Sequence, residues 1–321
     1  MASETSVGTG TTGATFQKLA LATTAATYLL ILVGGLVRAT GSGLGCPDWP
    51  TCFGSWVPPT DAAELPPGFD AALFNPVNTW IEYINRLVGV TIGLLIFATL
   101  VVAVRRHRDQ PRIVWSSVLA FVLVAFEGWL GAKVVEHELA SWIVTVHLVG
   151  ALVVVSLLLY ATFCAFFPAV IPASARSSWR KRTEPLVVGL MGLSLLQAGL
   201  GALVRGFIED KILANPGLPR SEWLLPLTRL DLSHRQLAVL VLFGLAFLAW
   251  RAFRRRDEYR WIWRFAFFSF GLAGLQILAG LGLAYAGMPA ALQVVHLTLG
   301  SLLLGTLTTT WLFVRQVPEG I

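Results

Sequence analysis

Val146-His147-Leu148-Val149-Gly150 opens one apolar run, continuing to Tyr160, and Val295-His296-Leu297-Thr298-Leu299-Gly300 opens another, continuing to Trp311. Each places one histidine near the start of a long hydrophobic helix. Upstream, Asn85-Arg86 precedes the first and His234-Arg235 the second by the same 62 residues (85 to 147, 234 to 296). Glu127 and Gln276 keep step, each 20 residues before its histidine. Repeated spacings of this kind mark an internal duplication. The second copy has two histidines at matched places, whereas the first has one histidine and an asparagine.

The surrounding composition says where such helices lie. Of 321 residues, 55% are hydrophobic and 13% charged, against about 25% charged in a soluble domain. A bilayer-spanning helix needs about 20 mostly apolar residues. Eight stretches qualify: 17–38, 80–104, 112–134, 142–167, 185–205, 231–252, 261–286 and 290–314. Backbone groups in lipid must pair internally, so these are helices. The expected fold is an all-α integral membrane protein with eight transmembrane helices in two pseudo-symmetric four-helix bundles.

Helix one ends Gly34-Gly35-Leu36-Val37-Arg38 and helix five ends Gly201-Ala202-Leu203-Val204-Arg205, so each copy contributes four helices. The expected units are a disordered tail over 1–16 and an N-terminal bundle over 17–167 with an outer loop at 39–79. A linker over 168–184, a C-terminal bundle over 185–314 and a tail over 315–321 follow. Residues 1–16 lack the basic stretch and short apolar core of a cleaved signal. Gly128, Gly131, Gly271, Gly274, Gly280 and Gly282 are expected to allow close helix approach.

The net charge of +6 does not point to nucleic acid, because its residues sit in alternate loops. Arg105, Arg106, Arg108 and Arg112 fall between helices two and three. Arg176, Arg180, Lys181 and Arg182 fall between four and five, and Arg251, Arg254, Arg255, Arg256 and Arg260 between six and seven. The positive-inside rule puts these loops and both termini in the cytoplasm. Loops 39–79 and 206–230 then face outward, and a bacterial plasma (inner) membrane is the expected location. In that orientation the polar residues of the repeat all occupy the outer half of the bilayer.

Intramembrane ionisable groups are rare and usually functional. His234 and His296, on different helices at equal depth, suit a ring held from both faces; four-helix bundles build cofactor sites this way, and imidazole is an axial ligand of haem iron. In the first copy, Glu82 and Asn85 share a helix face with His147 as partner. Glu82 either handles protons near a bound ring or caps helix two and pairs with Arg86. Glu127, a carboxylate where the other copy has Gln276, could relay protons to the first site. Arg38, Arg86, Arg205 and Arg235, at outer helix ends, suit haem propionates, or snorkel to lipid headgroups. Cys46 and Cys52 flank Pro47-Asp48-Trp49-Pro50 in the outward loop, where a close pair is expected to form a disulfide, structural or redox-active. Cys164 reads as an apolar filler, His107 as solvated, and His137 as a surface residue or a spare ligand for the half that lacks one.

These residues resemble the haem A synthase family. The matching pieces are Gly34-Gly35-Leu36-Val37-Arg38-Ala39-Thr40-Gly41-Ser42-Gly43-Leu44, the Cys46 to Cys52 loop, Glu82-Tyr83 with Asn85-Arg86, Val146-His147-Leu148, His234-Arg235 and Val295-His296-Leu297. The resemblance implies oxidation of the C8 methyl of haem O to the formyl group of haem A, by successive hydroxylations, for terminal oxidases. It implies a haem b cofactor on His234 and His296 and a substrate haem in the N-terminal half, with Glu82 at the place of an essential acid. Many relatives carry a second substrate-side histidine where this chain has Asn85. A substrate iron held only by His147 would keep an open sixth position; the alternatives are lost activity or a ligand from Glu82 or elsewhere. Expected partners are haem O, haem O synthase, membrane lipid and an electron donor such as quinol, with a homo-oligomer possible. The rivals are a two-haem quinol cytochrome and a haem transporter or chaperone, which use the same ligands without converting haem O.

Overall fold

In the computed structural model, residues 11–168, 177–219, 222–224 and 228–317 are described. Among them are eight long helices and no strand: α1 (Thr11–Thr40), α2 (Pro76–Arg106), α3 (Pro111–Glu136), α4 (Ser141–Phe166), α5 (Ser178–Ala214), α6 (Arg229–Phe253), α7 (Arg260–Tyr285) and α8 (Ala290–Val314). All eight are long and apolar enough to cross a bilayer. Local chemistry starts several of them. Asn75 accepts from the Asn78 amide at 3.1 Å, with Pro76 opening α2. Ser177 accepts from the Arg180 amide at 3.1 Å, and Thr228 from the Asp231 amide at 3.2 Å. These caps satisfy first-turn N–H groups that no helical carbonyl can reach.

The helices pack as two linked rings. α1, α2, α3 and α4 touch in sequence and α4 closes on α1; α5, α6, α7 and α8 do the same, with α8 closing on α5. α1 and α4 also meet α8, and α4 meets α5. Ile92, Ile96, Ala120, Val154 and Leu158 fill the first ring. Val187, Leu190, Val241, Leu245, Leu248 and Leu307 lie in the core of the second. Ile31, Leu152, Val155 and Leu304 join the rings. Lipid is as apolar as leucine, so close packing and interhelical hydrogen bonds hold such contacts rather than exclusion of water. Thr23–Thr99 at 3.0 Å, Thr24–Thr162 at 3.2 Å and Ser269–Thr306 at 2.9 Å are bonds of that kind.

Several sequence expectations are corrected. α1 begins at Thr11, inside the supposed tail, and Phe16 is fully buried; residues 1–10 lie outside the described set. α5 begins at Ser178, so the end of the supposed linker is helical, with Pro185 inside it. The same helix runs on through Gly206–Ala214, a segment expected to be loop. His107 is not solvated: it ends α2, is 8% exposed, and its ring lies 4.9 Å from that of Phe16. Cys164, from the same cluster, is the expected apolar filler. Of the interhelical glycines, Gly131, Gly280 and Gly282 face a neighbouring side chain, but Gly128, Gly271 and Gly274 face open space.

Candidate functional site

His234 on α6 and His296 on α8 come from helices that face each other diagonally across the second ring. Their ring centroids are 6.5 Å apart. Two imidazoles bound to opposite faces of one metal, each nitrogen about 2 Å from it, place their centroids about 6–7 Å apart. The flanking helices make room for the rings. A Cβ at Gly201 of α5 would lie 2.9 Å from Cε1 of His234, and one at Gly280 of α7 would lie 3.2 Å from Cε1 of His296. Gln197 donates to the His234 carbonyl at 2.9 Å and so fixes the backbone beneath that ring. Nδ1 of both histidines is buried without a hydrogen-bond partner.

The first ring carries the matched positions with different chemistry. His147 on α4 and His296 on α8 each stand six residues into their helix; Glu127 on α3 and Gln276 on α7 each stand nine residues before the end of theirs. Nδ1 of His147 lies 2.6 Å from Oε2 of Glu127, a close contact whose direction is not that of a hydrogen bond, and the imidazole is 41% exposed. Gly131 faces its Cε1 at 3.9 Å. Asn85, from the diagonal helix α2, leaves Oδ1 buried and unpartnered. Gly34, at the place of Gly201 in the α1 motif, has no neighbour within 4 Å of its Cβ position. The shorter amide leaves open the space that His234 fills in the other ring.

Over the start of α2 lies the loop of residues 41–75, stapled by the Cys46–Cys52 disulfide. Asp48 organises it, accepting from the Phe53 amide at 2.6 Å, from the Gly54 amide at 2.9 Å, and from the Thr51 hydroxyl. Phe53, Phe69, Phe74 and Tyr83 surround the two sulfurs, and the cysteines are 0% and 1% exposed. Such burial suits a staple and leaves no path for an attacking thiolate.

Arg86 fastens this loop. Its Nη1 donates to the Asp48 and Thr51 carbonyls at 2.7 and 2.8 Å, and its Nη2 to the Cys46 carbonyl at 3.3 Å. Its Nε and Nη2 donate to Oε1 of Glu82 at 3.2 and 2.5 Å. The remaining Glu82 oxygen accepts from the Cys46 amide at 2.8 Å. A guanidinium has five N–H donors, and all five of Arg86 are engaged. Arg86 is thus committed to the loop and to Glu82 in this structure. Of the alternatives for Glu82, the pairing with Arg86 is present.

The other three arginines are also paired, with donors to spare. Arg38 and Arg205 both meet Glu209, the first in a close ion pair and the second at 3.6 Å. Arg205 also donates to Oε1 of Gln293 at 3.1 Å. Nη1 of Arg38 is buried with no hydrogen-bond acceptor among the described residues, and Nη1 of Arg205 is the atom that lies 3.6 Å from Glu209. Arg235 pairs with Asp231 at 3.0 Å. Unpaired buried polar atoms cost about 1–3 kcal/mol each, so those of Arg38, Asn85, His234 and His296 suit a ligand. A pair of imidazoles at this spacing and buried guanidiniums at the same helix ends suit an iron ring with acidic side groups.

Glu209, Gln293 and Gln197 were missed in the sequence. Glu209 stands four residues after Arg205, the spacing of an intrahelical pair, but only if α5 continues past Arg205.

The fold is that of an all-α, multi-pass membrane protein whose repeated histidine and arginine positions lie toward one end of its helices. Over residues 17–308 the chain matches the family described as Cytochrome oxidase assembly protein (COX15-CtaA), and it belongs to that family. It is 34% identical over 138 residues to a protein of Shewanella oneidensis named Heme A synthase, spanning 41% of this chain and 40% of that one. A protein of the same name from Shouchella clausii is 30% identical over 132 residues, 41% and 39% of the two chains. One from Exiguobacterium sibiricum is 26% identical over 243 residues, 72% of each. The matches thus span about two fifths of the first two relatives' length and nearly three quarters of the third's.

Proposed function

We propose that this chain oxidises the C8 methyl group of haem O to the formyl group of haem A, supplying terminal oxidases. Family membership and the printed names of the relatives support the activity. The observation that carries it is the inequality of two matched sites. One has imidazoles 6.5 Å apart across its ring; the other has His147 facing an asparagine across a ring with open space at Gly34. A pure electron carrier gains nothing from leaving one face of an iron unligated, whereas a reaction site requires it.

In this reading, residues 17–167 and 185–314 form the substrate and cofactor halves. His234 and His296 hold haem b, and His147 holds the substrate haem. The spare nitrogens of Arg38 and Arg205, with Arg235 beside the cofactor, take haem carboxylates. Bound iron supplies the oxidising chemistry. Glu82, three residues from Asn85 on the same face of α2, handles protons at the reacting methyl. Asn85 leaves the iron's second face open. The arginine-rich loops support a topology with both termini in the cytoplasm of a bacterial inner membrane and the disulfide loop outside. Haem O synthase as source, a quinol as electron donor and a homo-oligomer complete the proposal.

The test is to express the chain in cells that make haem O but no haem A, then extract and separate the pigments. Haem A is expected with the natural chain and absent with Glu82→Gln. An unchanged haem O pool beside correctly inserted, haem-loaded protein would favour an electron-transfer cytochrome or a haem carrier.

A further inference from the structure

The two sites differ in a second way, in what stands behind each histidine. Behind His147 is a carboxylate: Oε2 of Glu127 lies 2.6 Å from Nδ1, and Glu127 is 6% exposed. At the same register of α7 stands the neutral Gln276, whose Oε1 is buried without a partner among the described residues. The Glu127 carboxylate reaches its place because residue 150 has no side chain. A Cβ there would lie 1.8 Å from Oε1 and 2.7 Å from Cδ of Glu127. Nε2 of His147 has no hydrogen-bond partner among the described residues, and the ring is 41% exposed. The imidazole thus has one nitrogen in ion-pair contact with the Glu127 carboxylate, not aligned as a hydrogen bond, and one presented outward.

Ligating histidines commonly direct their second ring nitrogen at a carboxylate or a carbonyl. That contact sets the tautomer, and a carboxylate makes the ligating nitrogen a stronger donor. From this geometry we propose that Glu127 is a positioning residue for His147, holding the ring's proton at Nδ1 and presenting Nε2 to the substrate haem as an electron-rich ligand. This rests on the assignment of His147 as the substrate-haem ligand. It makes the two sites differ in the strength of the axial donor as well as in the number of donors. The N-terminal iron has one charge-backed imidazole and an open face. The C-terminal iron has two imidazoles, and a neutral amide stands at the register of Glu127.

The test uses the full chain in lipid nanodiscs, loaded with haem, and three variants. Glu127→Gln copies the other half. Gly150→Ala pushes the carboxylate away without altering it. Glu127→Asp keeps the charge. The readouts are the iron–histidine stretching band of the reduced N-terminal haem and its midpoint potential. The band is expected to fall in frequency and the potential to rise in Glu127→Gln and in Gly150→Ala. Glu127→Asp should restore part of both, and the C-terminal haem should not move in any variant. A Glu127→Gln or Gly150→Ala protein with the natural band and potential overturns the inference, provided that His147→Ala abolishes the band. If His147→Ala leaves the band unchanged, the ligand assignment falls and this inference falls with it. If Glu127→Gln fails to insert, Gly150→Ala decides alone, because it leaves the carboxylate in the chain.

Discussion

The amide of Cys46 donates to Oε2 of Glu82 at 2.8 Å, across 36 residues of sequence. A cysteine of the disulfide therefore holds one oxygen of the acid, while Arg86 holds the other. Closing a loop of this size restrains the unfolded chain by about 2 kcal/mol. Its local effect is to keep the Cys46 amide on Glu82. The Cys46→Ser/Cys52→Ser protein is expected to insert and keep its C-terminal haem spectrum, while haem A formation falls at least tenfold. Pigment extraction beside an optical spectrum checks both, and full activity in the double variant would disconnect the staple from Glu82.

Asn85→His should convert the first site toward the second. Gly34 has room beside it, where matched Gly201 is filled by His234. The expected result is a second six-coordinate, low-spin haem and loss of haem A formation. His234→Ala or His296→Ala should instead remove the low-spin signal of the C-terminal haem. Electron paramagnetic resonance of the three proteins tells these apart, and a natural chain already showing two bis-histidine haems would count against the assignment of Asn85.

Glu209 sits between Arg38 and Arg205, which come from different rings. Replacing it with Ala leaves the two guanidiniums with only the weaker influence of Asp210 as counter-charge. The expected cost is about 1–3 kcal/mol of stability, seen as a lower melting temperature in detergent. Arg38→Gln added to Glu209→Ala should recover part of the loss, because the repulsion goes with the charge. No recovery in the double variant would mean that packing, not charge, is what Glu209 supplies.

His107, beyond the end of α2, has both ring nitrogens buried without a partner. Burial holds its pKa below the usual 6.5, outweighing the opposing effect of Asp109. The charged ring is thus less stable in the folded state than in the unfolded one. Stability is complete above about pH 6.5 and declines as the pH falls toward the lowered value. Melting temperatures measured from pH 7.5 to 5 should fall, and His107→Phe should flatten that dependence. An equal slope in the variant would assign the acid sensitivity to other groups.

The helices and the register of the polar positions were legible because both depend on spacing and hydropathy, which the sequence displays directly. Ends and partners were less so. An apolar stretch reports only the part of a helix that lies in lipid, so Gly206–Ala214, bearing Glu209, Asp210 and Lys211, read as loop although its backbone bonds continue the helix. His107 read as solvated because its neighbours are arginines, whereas Phe16, about ninety positions earlier, covers it. The 20-residue spacing showed that Glu127 matches Gln276, but not that Nδ1 of His147 lies against it. The loop contacts of Arg86 span 35 to 40 residues and leave no periodic trace.

The saturation of Arg86 changes how loss-of-function genetics on this chain must be interpreted. A screen for inactive variants would return position 86 beside 82 and 147, and its arginine would pass for a substrate contact. Lysine there would fail nearly as badly as alanine, since three donors on a flexible stem cannot replace a planar fork of five. The defect would show as an unlatched outer loop, open to protease in intact cells, before any catalytic assay was run.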